Sequence, residues 1–66
     1  MTILKVIEVL ASSEKSWEDA TRQAVKKASS SVENIKSAFV QSQSVTVKGD
    51  SVEEFSVNVK TTFEVK

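Results

Sequence analysis

The chain changes its hydrophobic rhythm three times, and each change predicts a boundary. Residues 2 to 10 carry Ile3, Leu4, Val6, Ile7, Val9 and Leu10, interrupted only by Lys5 and Glu8. β-Branched residues that lean apolar on both faces predict a strand covered from two sides. Ala11 to Lys15 then reads as a polar connection. Ser16 stands three residues before Asp19 in a capping-box-like spacing, with Ser13 as the alternative cap. After Trp17, Ala20, Ala24 and Ala28 recur at helical spacing and Thr21 and Val25 widen the stripe, so Trp17–Ala28 reads as one amphipathic helix. Glu18 and Asp19 in its first turn and Lys26 and Lys27 in its last would suit the helix dipole. The triplet Ser29, Ser30, Ser31 offers competing hydroxyls to the backbone and predicts the helix end.

Val32 and Ile35 pin a short connection to a second strand over residues 36–47, where the alternation is loose. Lys48-Gly49-Asp50-Ser51 contains the single glycine of the chain and predicts a hairpin turn with Gly49 at positive φ, making its flanking strands antiparallel neighbours. The last segment, Glu53 to Lys66, alternates cleanly. Phe55, Val57, Val59, Thr61, Phe63 and Val65 fall on one face, and Glu54, Ser56, Asn58, Lys60, Thr62 and Glu64 on the other. Such a strand reaches roughly 40 Å, whereas a helix from Trp17 to Ala28 covers roughly 18 Å. The odd-numbered row, ending in Phe63 and Val65, is therefore longer than the helix that covers it and calls for a second protein surface. The expectation is an α+β domain spanning residues 1–66: a β-α-β-β subunit with a three-stranded antiparallel sheet on one helix, assembled as a homo-oligomer.

Composition narrows the chemistry. Nine basic and nine acidic residues give a formal charge of zero, so no field favours nucleic acid or an anionic membrane. With neither Cys nor His, thiolate and imidazole chemistry are excluded. One glycine cannot build a phosphate-cradling loop. The adjacent acids Glu18-Asp19 and Glu53-Glu54 point apart and cannot flank one reacting bond. These features predict a protein that is not an enzyme. No apolar stretch approaches the roughly 18 residues of a membrane span, and a cytoplasmic protein is expected.

Trp17 begins the helix stripe and is read as packing rather than as a ligand platform. Lys26-Lys27 is read as a solvated pair. Asp50, Glu53 and Glu54 beside the turn, and then Glu64 on the polar face of the last strand, are the candidate oxygen ligands for a hard cation. Their spacing is not that of an EF-hand, so a site would need copies of these acids gathered about a symmetry axis.

The order of short segments resembles the dodecin family: Lys5-Val-Ile-Glu-Val, Ser12-Ser-Glu-Lys-Ser-Trp17-Glu-Asp-Ala, Ser31-Val-Glu-Asn-Ile35 and Phe63-Glu-Val. The resemblance implies a hollow homododecamer of cubic symmetry with the β-α-β-β subunit. It also implies a flavin, FMN or riboflavin, as the family's default ligand, stacked on a tryptophan near the start of the second strand and hydrogen-bonded by a glutamine of the third. Those positions fall on Ser37 and Ser56 here. Serine has no π face, and stacking contributes roughly 1 kcal/mol beyond burial, which argues against ordinary flavin storage. Ser16-Trp17 together with the missing tryptophan is similar to the calcium dodecin subgroup, which implies Ca2+ as the cofactor. The reading is a binding or storage shell for a small ligand or ion. A flavin-binding shell with an altered pocket and a ligand-free structural assembly are its alternatives.

Overall fold

A computed structural model describes residues 2–65. Its elements run β1 (Ile3–Ser13), α1 (Trp17–Ser31), β2 (Ile35–Lys48) and β3 (Ser51–Val65). They form one three-stranded antiparallel sheet in the order β1-β3-β2, with α1 on one face. The β-α-β-β architecture is the one expected, and the last strand in sequence is central in the sheet. Fifteen residues reach roughly 50 Å as a strand but only about 22 Å as a helix. The molecule is accordingly a slab of 51 × 18 × 13 Å that α1 covers in part.

Beneath the helix, Ala20, Ala24 and Ala28 meet Val57 and Val59, all buried, with Val9, Ala11, Trp17 and Val40 packed around them. Alanine keeps the helix axis close to the sheet, and the β-branched valines fill the pleat opposite. The odd row of β3 is buried at Val57, Val59 and Thr61, half-buried at Phe55 and Phe63, and exposed at Val65. Burial fades at both ends where the helix stops, as the length mismatch predicts.

Several boundaries differ from the sequence reading. Ser16 is the cap, with extended backbone and a hydroxyl that accepts from the Asp19 amide at 3.0 Å. Ser13, the alternative, instead ends β1, where its hydroxyl donates to Asp19 Oδ2 at 2.5 Å and accepts from the Lys15 amide. The helix does not end at Ala28 but continues through the serine triplet to Ser31. Ser29 and Ser30 hydroxyls donate to the carbonyls of Lys26 and Lys27, so they ride on the helix rather than break it. Lys26 and Lys27 are consequently not in the last turn, which contains no basic residue. β1 is covered on one side only within the single chain: Ile3, Leu4, Val6 and Leu10 are exposed, contrary to the two-sided cover its composition suggested.

Gly49 has φ +65°, as expected, and Asp50 does not share that region, which is the pattern of a type II′ hairpin joining paired Lys48 and Ser51. Asn34 also adopts positive φ, at 62°, and its carbonyl accepts from the Glu64 amide at 3.0 Å, fixing where β2 begins. The loose alternation of β2 has its cause in three register shifts, at Ile35/Ser37, Val40/Ser42 and Thr46/Val47. β3 extends to Ser51 at its start, and Lys66 lies outside the described residues.

Candidate binding surface

Since Val57, Val59 and Thr61 point toward the helix, the even residues of β3 form the opposite face. Register places neighbours from both outer strands beside them. Ser56 lies between Ser12 and Ser44, Asn58 between Leu10 and Ser42, Lys60 between Glu8 and Phe39, and Thr62 between Val6 and Ser37. The Ser12 and Ser56 hydroxyls share a hydrogen bond of 2.8 Å. A depression of about 390 Å³ opens over the two serine-rich rows, lined by Leu10, Ser12, Ser42, Ser44, Ser56 and Asn58 among others. Asn58 Oδ1 is buried there without a hydrogen-bond partner among the described residues.

The two positions aligned with the flavin motif are not brought together. Ser37 stands opposite Thr62 and Ser56 opposite Ser44, six residues apart along β3, which is roughly 20 Å. Only Ser56 lines the depression. Nor do the candidate carboxylates converge. Asp50 and Glu53 are exposed at the hairpin, with the Ser51 hydroxyl 3.4 Å from Asp50 Oδ1. Glu54 is half-buried opposite Thr46. Glu64 sits ten residues farther along β3, roughly 33 Å away, with its Oε1 4.0 Å from Lys36 Nζ. Among the described residues no three acids share a metal-sized space.

The acid with a defined environment is one the sequence reading treated only as a helix-start residue. Asp19 Oδ2 accepts from Ser13 Oγ at 2.5 Å and from Gln23 Nε2 at 2.7 Å. These two hydrogen bonds, helped by the Lys15 and Arg22 charges and opposed by burial, hold its carboxyl below the ordinary 3.8. Through Oδ2, Asp19 ties the end of β1 to the start of α1. Trp17 packs, as expected. Its ring meets Phe55 edge-on at 5.1 Å and its Nε1 donates to the Ser44 carbonyl at 2.9 Å, joining helix and β2.

Sequence reasoning passed over Ser12, Ser42, Ser44 and Asn58. The signal was present in part: Ser42 and Ser44, like Ser56 and Asn58, alternate two apart. Without the pairing register between strands, nothing aligned them into rows.

One helix packed on a three-stranded antiparallel sheet in the order β1-β3-β2 defines a β-α-β-β class of small domain. The model of the family described as Dodecin matches residues 3–66. The chain belongs to the dodecin family. It is 30% identical over 66 residues to a calcium dodecin of Mycobacterium tuberculosis, covering all of this chain and 93% of that protein. The solved structure of a calcium-chelating calcium dodecin from the same organism superposes with a TM-score of 0.84 at 29% identity, covering 97% of this chain and 91% of that one. A variant of the Thermus thermophilus dodecin superposes with a TM-score of 0.94 at 21% identity, covering 100% and 98% of the two chains, which speaks to the fold alone.

Proposed function

We propose that this chain, acting as one domain over residues 1–66, is a non-enzymatic subunit of a homododecameric shell that binds hard cations, calcium foremost. The observation that carries the reading is the full-length, 30% identity to a protein named for calcium. The separation of the acids within one chain supports the symmetric form of the site. Copies of Asp50, Glu53 and Glu54, or of Glu64, supply the oxygens only where an axis gathers them, and a divalent ion relieves the repulsion between them. The exposed apolar residues Ile3, Leu4, Val6 and Phe39 supply surface for self-association. Flavin, the family's default ligand, is disfavoured by serine at both Ser37 and Ser56. With balanced charge and no helix among the described residues long and apolar enough to cross a membrane, we place the shell in the cytoplasm, without nucleic-acid or membrane partners.

Calorimetric titration with calcium and magnesium, alongside light scattering, tests this. The expected results are a particle about twelve times the 7.2 kDa chain mass, heat on adding calcium, and a lower melting temperature after chelation. A folded monomer at micromolar concentration defeats the shell. No heat and no effect of chelation defeat the cation reading in favour of a ligand-free assembly. Stoichiometric retained flavin absorbance shows the argument from Ser37 and Ser56 to be wrong.

A further inference from the structure

The outer flank of α1 has a chemistry that neither the core nor the acids of the hairpin share. Gln23, Lys26, Lys27 and Ser30 stand at i, i+3, i+4 and i+7, one stripe of a helix, and together they line a groove of about 460 Å³. All four are exposed. Among the described residues, every large apolar side chain left exposed lies on a strand and none on α1. Self-association through those side chains therefore leaves this flank in solvent.

The charges in the groove are of one sign. Arg22 is paired with Glu18 and Lys36 with Glu64, whereas neither Lys26 nor Lys27 has an anionic partner among the described residues. No acid occurs from Ala20 to Val32. Asp19 precedes Lys26 by seven residues, roughly 10 Å along the axis, which is about the screening length in 0.1 M salt. Its Oδ2 is also held by Ser13 and Gln23. The negative end of the helix dipole is blunted here as well. The carbonyls of Lys26, Lys27 and Ala28 accept from Ser29 Oγ, Ser30 Oγ and the Val32 amide. The serine triplet thereby reduces the repulsion that an anion would meet beside these turns.

Each lysine ammonium offers three donors and no acceptor, and Gln23 Nε2 keeps one N–H beyond the one given to Asp19. Lysine binds phosphate as a point charge, and its methylene stem supplies an apolar floor. We propose that this groove binds a phosphate group, free as inorganic phosphate or carried by a small phosphomonoester. The group sits between the Lys26 and Lys27 ammoniums with the Gln23 amide beside it, and the organic part of an ester lies along the lysine stems. None of Asp50, Glu53, Glu54 and Glu64 lines the groove, so this site and the cation site stand or fall separately.

Inorganic phosphate and glycerol 2-phosphate are titrated separately into the intact assembled protein, without divalent ions and with ionic strength held constant by sodium chloride. Calorimetry and the shift in melting temperature follow binding. At least one of the two is expected to bind saturably with a millimolar or tighter Kd, and the tighter one tells a free anion from an esterified one. Lys26→Gln and Lys27→Gln each remove a charge-assisted contact with little change in helix propensity and should weaken binding about tenfold. The double variant should abolish it. Lys48→Gln makes the same charge change at the hairpin, outside the groove, and should leave affinity within twofold. Circular dichroism confirms that these exposed-site variants fold. No saturable response to either probe up to roughly 50 mM, well above a millimolar Kd, overturns the proposal. So does binding that survives the double variant, or a loss in Lys48→Gln equal to that in the groove variants, which would show diffuse charge and no site.

Discussion

Thr61 is the one fully buried polar side chain in the row beneath the helix, and its Oγ1 has no hydrogen-bond partner among the described residues. It stands on the central strand between Ile7 and Ala38. Thr61→Val keeps the branched shape and removes the hydroxyl, whose unsatisfied burial costs about 1–3 kcal/mol. Stability should therefore rise by about 1–2 kcal/mol, with part of the gain offset by fitting the larger methyl into a close-packed site. Thr61→Ser is the complementary change: it keeps the hydroxyl and removes a methyl, and should cost about 1 kcal/mol. Urea unfolding at matched protein concentration measures both, since self-association makes apparent stability concentration-dependent. For a chain of this length each kcal/mol corresponds to roughly 4–8 °C in Tm. A Thr61→Val protein less stable than wild type, or a Thr61→Ser protein equal to Thr61→Val, would refute the reasoning by showing that the hydroxyl is satisfied in the folded assembly.

Acid should reveal Asp19. Its folded-state carboxyl titrates below the ordinary 3.8, so its stabilising contribution is complete above that value and is lost as pH falls through the lower folded one; the Tm of Asp19→Asn should fall less steeply below about pH 4 than that of wild type, and equal slopes would count against the Ser13–Asp19–Gln23 network. Trp17→Phe keeps an aromatic ring near Phe55 but loses the bond to the Ser44 carbonyl, and unfolding measurements should show a loss of about 1 kcal/mol. Gly49→Ala meets no atom within 4 Å, so its cost is conformational alone, about 1–2 kcal/mol for an L-residue in the left-handed region; a neutral result in denaturant titration would mean the turn relaxes to another type.

The parts of the fold that were legible are those where one physical demand dominated. β3 alternates because one face meets the helix along its centre, and Trp17, Ala20, Ala24 and Ala28 recur because alanine lets the helix approach Val57 and Val59. The serine triplet misled because propensity counts hydroxyls as breakers, whereas Ser29 and Ser30 bond to carbonyls three residues back and leave the helix intact. β1 runs on through Ala11, Ser12 and Ser13 because Val57, Ser56 and Phe55 stand ready to pair with them, a non-local reward invisible to local propensity. β2 looked irregular because it is: three register shifts interrupt its period. The candidate site was less legible for a related reason. Ser12, Ser42, Ser44, Ser56 and Asn58 become neighbours only through strand register, and the acids at the hairpin and at Glu64 lie roughly 33 Å apart within one chain.

The central place of β3 has a consequence for the order of events as the chain is made. β1 and β2 have no pairing with each other; every ladder in the sheet runs through the strand that follows them both in sequence. Until β3 emerges, two long strands and a helix exist without a template, and the loops that join β1 to its partner must close over most of the chain, which slows folding. Through that interval Ile3, Leu4, Val6 and Val45 belong to unpaired edges, open to strands of other nascent copies. The same late strand that completes the sheet therefore also ends the period in which stray pairing competes with it.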